Sequence, residues 1–155
     1  MRIKSINEAY YLFKRILKSR ACEVIRVTPT NFGRHRIVHV KMWYRGVSSN
    51  VKFYLIFQRK PFESFEKYFN FPSKAFSINK SILEEIIKMG IDGLVFIDEL
   101  GNCYYINPRI AYKIAKEKGW IRKTKRTGEI VVHIPIVILE KIHYNELDRK
   151  ITSFT

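Results

Sequence analysis

The chain has 155 residues, the size of one domain, and its 46% hydrophobic and 14% aromatic residues can build a core and exclude wholesale disorder. Twenty-nine Lys and Arg against 14 Asp and Glu leave a formal net charge of +15, so a polyanionic partner is expected, nucleic acid before an anionic membrane surface. Two cysteines, Cys22 and Cys103, exclude a disulfide scaffold and a four-thiolate metal site, and no run of about 18 apolar residues offers a membrane span.

The segment Met1 to Glu8 lacks the apolar centre of a signal peptide, and a soluble cytoplasmic protein is expected. Twenty-two isoleucines, abundant Lys and a single glutamine point to a thermophilic source with an AT-rich genome.

Ser5-Ile6-Asn7-Glu8 is a capping box, in which the Ser hydroxyl and the Glu carboxylate each satisfy an orphan backbone N–H. Tyr10, Tyr11, Phe13, Ile16 and Leu17 then recur at helical spacing, so the first helix is predicted to run to between Ser19 and Ala21. Three strands are predicted next. Residues 23–28 alternate, with Val24, Arg26 and Thr28 on one face and Ile25 and Val27 on the other, and residues 36–44 alternate in the same way. Residues 51–58 are nearly all apolar and read as a central strand buried on both faces. Arg45-Gly46 and Ser48-Ser49-Asn50 supply turn residues between the second and third strands.

Residues 61–80 carry Phe62, Phe65, Tyr68, Phe69, Phe71 and Phe76 with no clear period and are predicted to be irregular. Ser81-Ile82-Leu83-Glu84 repeats the capping box and opens a second helix that ends at Met89-Gly90. A short buried strand over 93–98 pairs with one over 103–106 across a turn at 99–102. Asn107-Pro108, an N-cap followed by Pro at the first helical position, opens a third helix to Lys118-Gly119. A basic loop over 122–126 leads to a last strand over 129–134, with Pro135 at its edge or end, and residues 136–147 are predicted as a short final helix. No repeat or linker divides the chain. The prediction is one α/β domain over 1–155, a mixed central sheet flanked by helices.

Between Glu23 and Glu63 there is no acidic residue, yet the run holds eight cations: Arg26, Arg34, Arg36, Lys41, Arg45, Lys52, Arg59 and Lys60. A plain solvated face would carry such charges too; one sign over three adjacent strands favours a surface that tracks a phosphate backbone. Arg122, Lys123, Lys125 and Arg126 form a second basic cluster, either an ordinary exposed loop or a further phosphate contact. Cations interleaved with aromatics suit stacking on unpaired bases, and Trp43 and Tyr44 are the aromatics of the run least needed for a core. His35 and His39 stand two pleats apart on a strand rather than on one helical face, and partners for a zinc site are not identifiable. The seven glycines are scattered at turns and form no phosphate-binding loop.

The third strand ends Tyr54-Leu55-Ile56-Phe57-Gln58-Arg59-Lys60. An apolar strand finishing in an acid or Gln, any residue, then Lys resembles the signature of the restriction-endonuclease-like nucleases, the Gln form being familiar from their Mrr-like branch. The element order is similar over most of the chain, most closely to the archaeal Holliday junction resolvases. That resemblance implies a restriction-endonuclease-like fold in which Glu8, Gln58 and Lys60 take catalytic positions around Mg²⁺. The family's Asp at the start of the second strand has no counterpart, because residues 31–40 contain no acid, and Arg34, Arg36 and Arg59 oppose a divalent cation there. The expectation is therefore a DNA-binding protein with a nuclease-like fold, a degenerate site, no metal ligands and no resident cofactor, acting as a homodimer or accessory subunit. The alternatives are an active Mg²⁺-dependent endonuclease and a basic interaction protein of viral or mobile-element origin.

Overall fold

A computed structural model describes residues 2–63, 65–71 and 73–143. Helix α1 (Ile6–Ser19) starts as its sequence requires: Ser5 Oγ accepts from Glu8 N at 3.2 Å, and the Glu8 carboxylate accepts from Lys4 N. Its apolar stripe of Ile6, Ala9, Phe13, Ile16 and Leu17 is buried. Three antiparallel strands follow, β1 (Cys22–Pro29), β2 (His35–Tyr44) and β3 (Val47–Phe57). A short helix α2 (Phe65–Phe69), strand β4 (Ala75–Asn79) and helix α3 (Lys80–Lys88) lead to β5 (Gly93–Ile97), which pairs in parallel with β3. Strand β6 (Cys103–Ile106), helix α4 (Pro108–Lys118), β7 (Ile121–Lys123), β8 (Ile130–Pro135), a 3-10 turn over Ile136–Ile138 and β9 (Glu140–Ile142) complete the described chain.

The α/β class with a mixed sheet and helices on both faces is as expected, but the described residues form two sheets. Six strands in the order β1-β2-β3-β5-β6-β9 form the larger, and β4-β8-β7 the smaller. On one face of the large sheet, α1 packs against Val38, Val40, Leu55, Phe57, Val95 and Ile97. On the other, Ile37, Tyr54, Ile56, Leu94 and Phe96 meet α3, α4 and the small sheet, with the rings of Phe76 and Phe96 stacked at 4.8 Å. The β3–β5 contact leaves no room for a side chain at Gly93, where a Cβ would stand 2.7 Å from the Phe53 ring.

Several boundaries differ from the sequence reading. The second turn is Arg45-Gly46 alone, both at positive φ (50° and 76°), a two-residue primed turn whose twist suits a hairpin. Ser48-Ser49-Asn50 is therefore strand, and β3 is buried on both faces only over its inner half. A bulge at Ile25 breaks the alternation of β1. Val24 pairs with Val40 and turns towards α1, while Arg26 and Thr28 pair with His39 and Ile37 on the opposite face. Residues 61–80 are not irregular: they hold α2 and β4, each five residues long, too short to show a period.

Helix α3 is capped by Asn79, not Ser81. Asn79 Oδ1 accepts from Ser81 N at 2.9 Å and from the Ser81 hydroxyl at 2.6 Å, so the predicted cap is itself held by the true one. The basic loop begins as strand β7, which pairs with β8. The final helix expected over 136–147 is instead the 3-10 turn and β9, which covers the open edge of β6; residues 144–147 of that expectation lie outside the described residues.

Candidate nucleic-acid interface

Residues paired across β2 and β3 share a face of the sheet. Val38 with Phe53 and Val40 with Val51 turn towards α1, and Ile37 with Tyr54 towards α3. Outward along that second face come His39 with Lys52, Lys41 with Asn50, and Trp43 with Ser48. From β1, the bulge sets Arg26 opposite His39, and Glu23 stands opposite Lys41. Had β1 alternated without interruption, Ile25 would face His39 and the cation would be lost from this surface.

A shallow depression of about 230 Å³ opens there, lined by Arg26, His39, Asn50 and Lys52 together with Ile25, Val40 and Val51. Thr28 Oγ1 lies 3.3 Å from His39 Nε2. Partial burial, and then the charges of Arg26 and Lys52, hold His39 below its ordinary pKa and so favour its neutral form. Lys52 donates to the carbonyl of Met89 at 2.9 Å, and its backbone N–H donates to Asp92 Oδ2 at 2.8 Å, which anchors the depression to the end of α3.

The eight cations of the acid-free run do not share this face. Arg26, Lys41 and Lys52 line it, and Arg45 lies at the hairpin tip. Arg34 and Arg36 sit at the opposite end of the hairpin, where Arg34 O accepts from Phe57 N at 3.0 Å and Arg36 Nη1 donates to Gly33 O and His35 O. Arg59 and Lys60 continue past β3 and both reach the buried Glu99, at 3.7 and 4.0 Å. Arg26, Lys41, Arg45 and Lys52 have no ion-pair partner among the described residues.

The second basic cluster belongs to the β7–β8 hairpin on the small sheet. Arg122 lies over the ring of Phe69 at 4.6 Å, and Lys123, Lys125 and Arg126 are exposed. The hairpin tip combines the remaining pieces: Trp43 and Tyr44 are exposed, Lys41 Nζ lies 5.2 Å from the Trp43 ring, and the Arg45 guanidinium lies 5.2 Å from the Tyr44 ring.

The three residues carried over from the nuclease resemblance are engaged elsewhere. Gln58 Oε1 accepts from Ser77 N at 3.2 Å and its amide donates to Lys60 O at 3.1 Å, tying the end of β3 to β4. Lys60 points to Glu99. Glu8 lines a small surface hollow with Arg2, Ile3, Tyr11, Leu12 and Arg15, a lining that includes neither Gln58 nor Lys60. Among the described residues, no group of three or more His, Cys, Asp or Glu stands close enough to hold a metal ion. Asp98 is a turn residue: its carboxylate accepts from Leu100 N, Asn102 N and Asn102 Nδ2 at 2.9 to 3.0 Å.

Sequence reasoning missed Glu99, which stands with Asp98 in the chain and with Arg59 and Lys60 in space. It also missed the pairing of His133 Nδ1 with Ser77 Oγ at 2.9 Å beneath Phe62. Neither had a local signal, since both rest on contacts between distant segments. No family model, no curated protein and no solved structure matches this chain.

Proposed function

We propose that this is a cytoplasmic nucleic-acid-binding protein, DNA being its first expected ligand, which grips phosphates with the outer face of β1–β3. The observation that carries this is the gathering of Arg26, Lys41 and Lys52 around His39 on one open face, with no ion-pair partner for any of the three among the described residues. Unpaired cations held on a rigid sheet meet a polyanion without first breaking a salt bridge, and phosphate contacts of this kind carry affinity rather than sequence choice.

The nuclease-like ancestry belongs to this reading as a proposal. The leading helix, the three-stranded meander and the Gln58-Arg59-Lys60 segment that follows β3 support it. A degenerate site is the form it takes, because Gln58 already accepts from Ser77 N and Glu99 takes up Arg59 and Lys60. Incubation of DNA with Mg²⁺ or Mn²⁺ against a chelator control separates it from the active-nuclease reading.

Titration of labelled duplex DNA at several salt concentrations tests the interface. If three to five cations meet phosphates, log K falls against log salt with a slope of about −3 to −5. Replacing Arg26, Lys41 and Lys52 together by Ser is expected to flatten that slope by about 3. The matched control replaces Lys14 and Lys18 of α1, exposed on the helix that covers the opposite face. Affinity indifferent to salt, or a control that loses as much as the triple variant, overturns the proposal.

A further inference from the structure

The end of the β2–β3 hairpin stands clear of the sheet. The last residue of β2 with a partner in β1 is Met42, opposite Cys22, and the first residue of β3 with a partner in β5 is Phe53, opposite Gly93. Among the described residues, Trp43 to Ser48 is therefore a two-stranded ribbon with no strand on either side, and residues 42–50 are all exposed. At about 3.3 Å per residue it projects on the order of 10 Å beyond β1.

Its side chains are unusual for such a position. Trp43 is 51% exposed, Tyr44 72% and Val47 69%. Large rings left in water at a projecting tip are not part of the core, and their exposure suits a contact surface. Successive strand residues point to opposite faces, so the two rings lie on opposite faces of the ribbon. Each has its own cation: Lys41 with Trp43 and Arg45 with Tyr44, both at 5.2 Å. No acid occurs anywhere from residue 24 to residue 62, so the ribbon is of one sign throughout.

We infer that this ribbon engages unpaired bases of a nucleic acid, with Trp43 and Tyr44 stacking on base faces while Lys41 and Arg45 meet the neighbouring phosphates. The inference rests on the nucleic-acid reading above and adds to it the class of ligand. A ribbon of this width also enters the major groove of a duplex, but there it meets base edges, which polar side chains read. This tip offers rings, and a ring gains a partner face only where bases are unstacked and free, with no demand on which base it is. Charge complementarity favours the same occupant: a second copy of this chain brings a like-charged face, whereas a single strand brings phosphates at every step.

The two tryptophans supply the readout, because Trp120 is 5% exposed and Trp43 faces water. Oligothymidylate is expected to quench the emission of Trp43. In Trp43→Ala the quenching disappears and affinity for the oligonucleotide falls about 10-fold, with a comparable fall for Tyr44→Ala. Trp43→Phe, which keeps a ring, recovers most of the binding. Duplex affinity and its salt slope stay within about two-fold in all three, because the phosphate contacts of β1–β3 remain.

If duplex DNA binds with the expected salt slope but oligothymidylate neither quenches Trp43 nor depends on it, the ribbon inference fails and the phosphate-binding face stands. Failure of both duplex and single strand to bind at low salt removes the nucleic-acid reading itself. Quenching by polyglutamate with none by oligothymidylate assigns the ribbon to an acidic protein partner and overturns the inference as well.

Discussion

The β2–β3 hairpin has an inner half and an outer half. In the inner half, Ile37, Val38, Val40 and Tyr54 to Phe57 are buried between α1 on one side and α3 with the small sheet on the other. In the outer half, Met42 to Asn50 are all exposed, although they include Trp, two other large apolar side chains and a Tyr. Composition does not separate the halves; neighbours do. Strands β1 and β5 flank the inner half; β1 reaches only Met42, the first residue of the outer half, and β5 stops short of it. An isolated two-stranded ribbon is marginal in water. The outer half holds its shape because the inner half is clamped and because Arg45-Gly46 sets the register of Tyr44 against Val47. Its rings are therefore free to serve a ligand, while the rings and branched chains of the inner half serve the core.

The largest expected effect breaks the comparison at its strongest point. Leu55 is fully buried under α1, and Leu55→Ala is expected to cost about 2–5 kcal/mol in a denaturant titration. Val47→Ala, on the same strand, is expected to stay within about 0.5 kcal/mol of the parent. Equal losses would mean that the ribbon is covered and that its exposure is not as described.

Two histidines of β2 sharpen the contrast. His35, at the root, has Nδ1 2.8 Å from Tyr54 Oη and its ring against Phe32. Burial first, then the charge of Arg36, lowers its pKa to about 4. The unfolded chain takes up this proton near pH 6.5 and the folded one only near 4, so the stabilisation is complete above pH 6.5 and is lost as pH falls towards 4. At pH 5 the loss amounts to about 2 kcal/mol at most. His133, with its pKa also lowered to about 4 by burial and then by Arg122, behaves in the same way on the small sheet. In His35→Asn the stability difference between pH 7 and pH 5 is expected to shrink by about 1–2 kcal/mol, and by less in His39→Gln, whose imidazole on the open face is also held below its ordinary pKa. Denaturation midpoints at the two pH values check this. An unaltered difference in His35→Asn would remove its titration from the account.

The smallest effect probes the tip alone. Gly46 has φ +76°, and although a Cβ there would touch nothing, Gly46→Ala forces an L side chain into the left-handed region at a cost of about 1 kcal/mol. The cost is expected to fall on the ribbon. Amide exchange at Tyr44 and Val47 rises, while the global unfolding midpoint stays in place. A drop in the global midpoint instead would show that tip and core unfold as one.

Much of the molecule was legible in local sequence. Ser5 before the stripe of α1, Asn107-Pro108 before α4, Gly119 at φ 71° after it, and the Asp98 turn between β5 and β6 all act over four residues or fewer, a range that reading along the chain can see. The net charge and the acid-free run likewise belong to the sequence alone. What tertiary structure decided is of another kind. Strands β7 and β9 have three residues each, too few for a period, and exist because β8 and β6 offer them a partner. Asn79 displaced Ser81 as the cap of α3 because β4 runs directly into the helix and leaves Asn79 extended at their junction. One extra residue at Ile25 chose the face on which Arg26 lies, and the buried Glu99 gave the exposed Arg59 and Lys60 a shared partner that their place in the chain did not show. Periodicity states which residues share a side of an element. Which sides find cover, and which charges find partners, depends on pairings between segments far apart in the chain, and those are set only when the whole core closes.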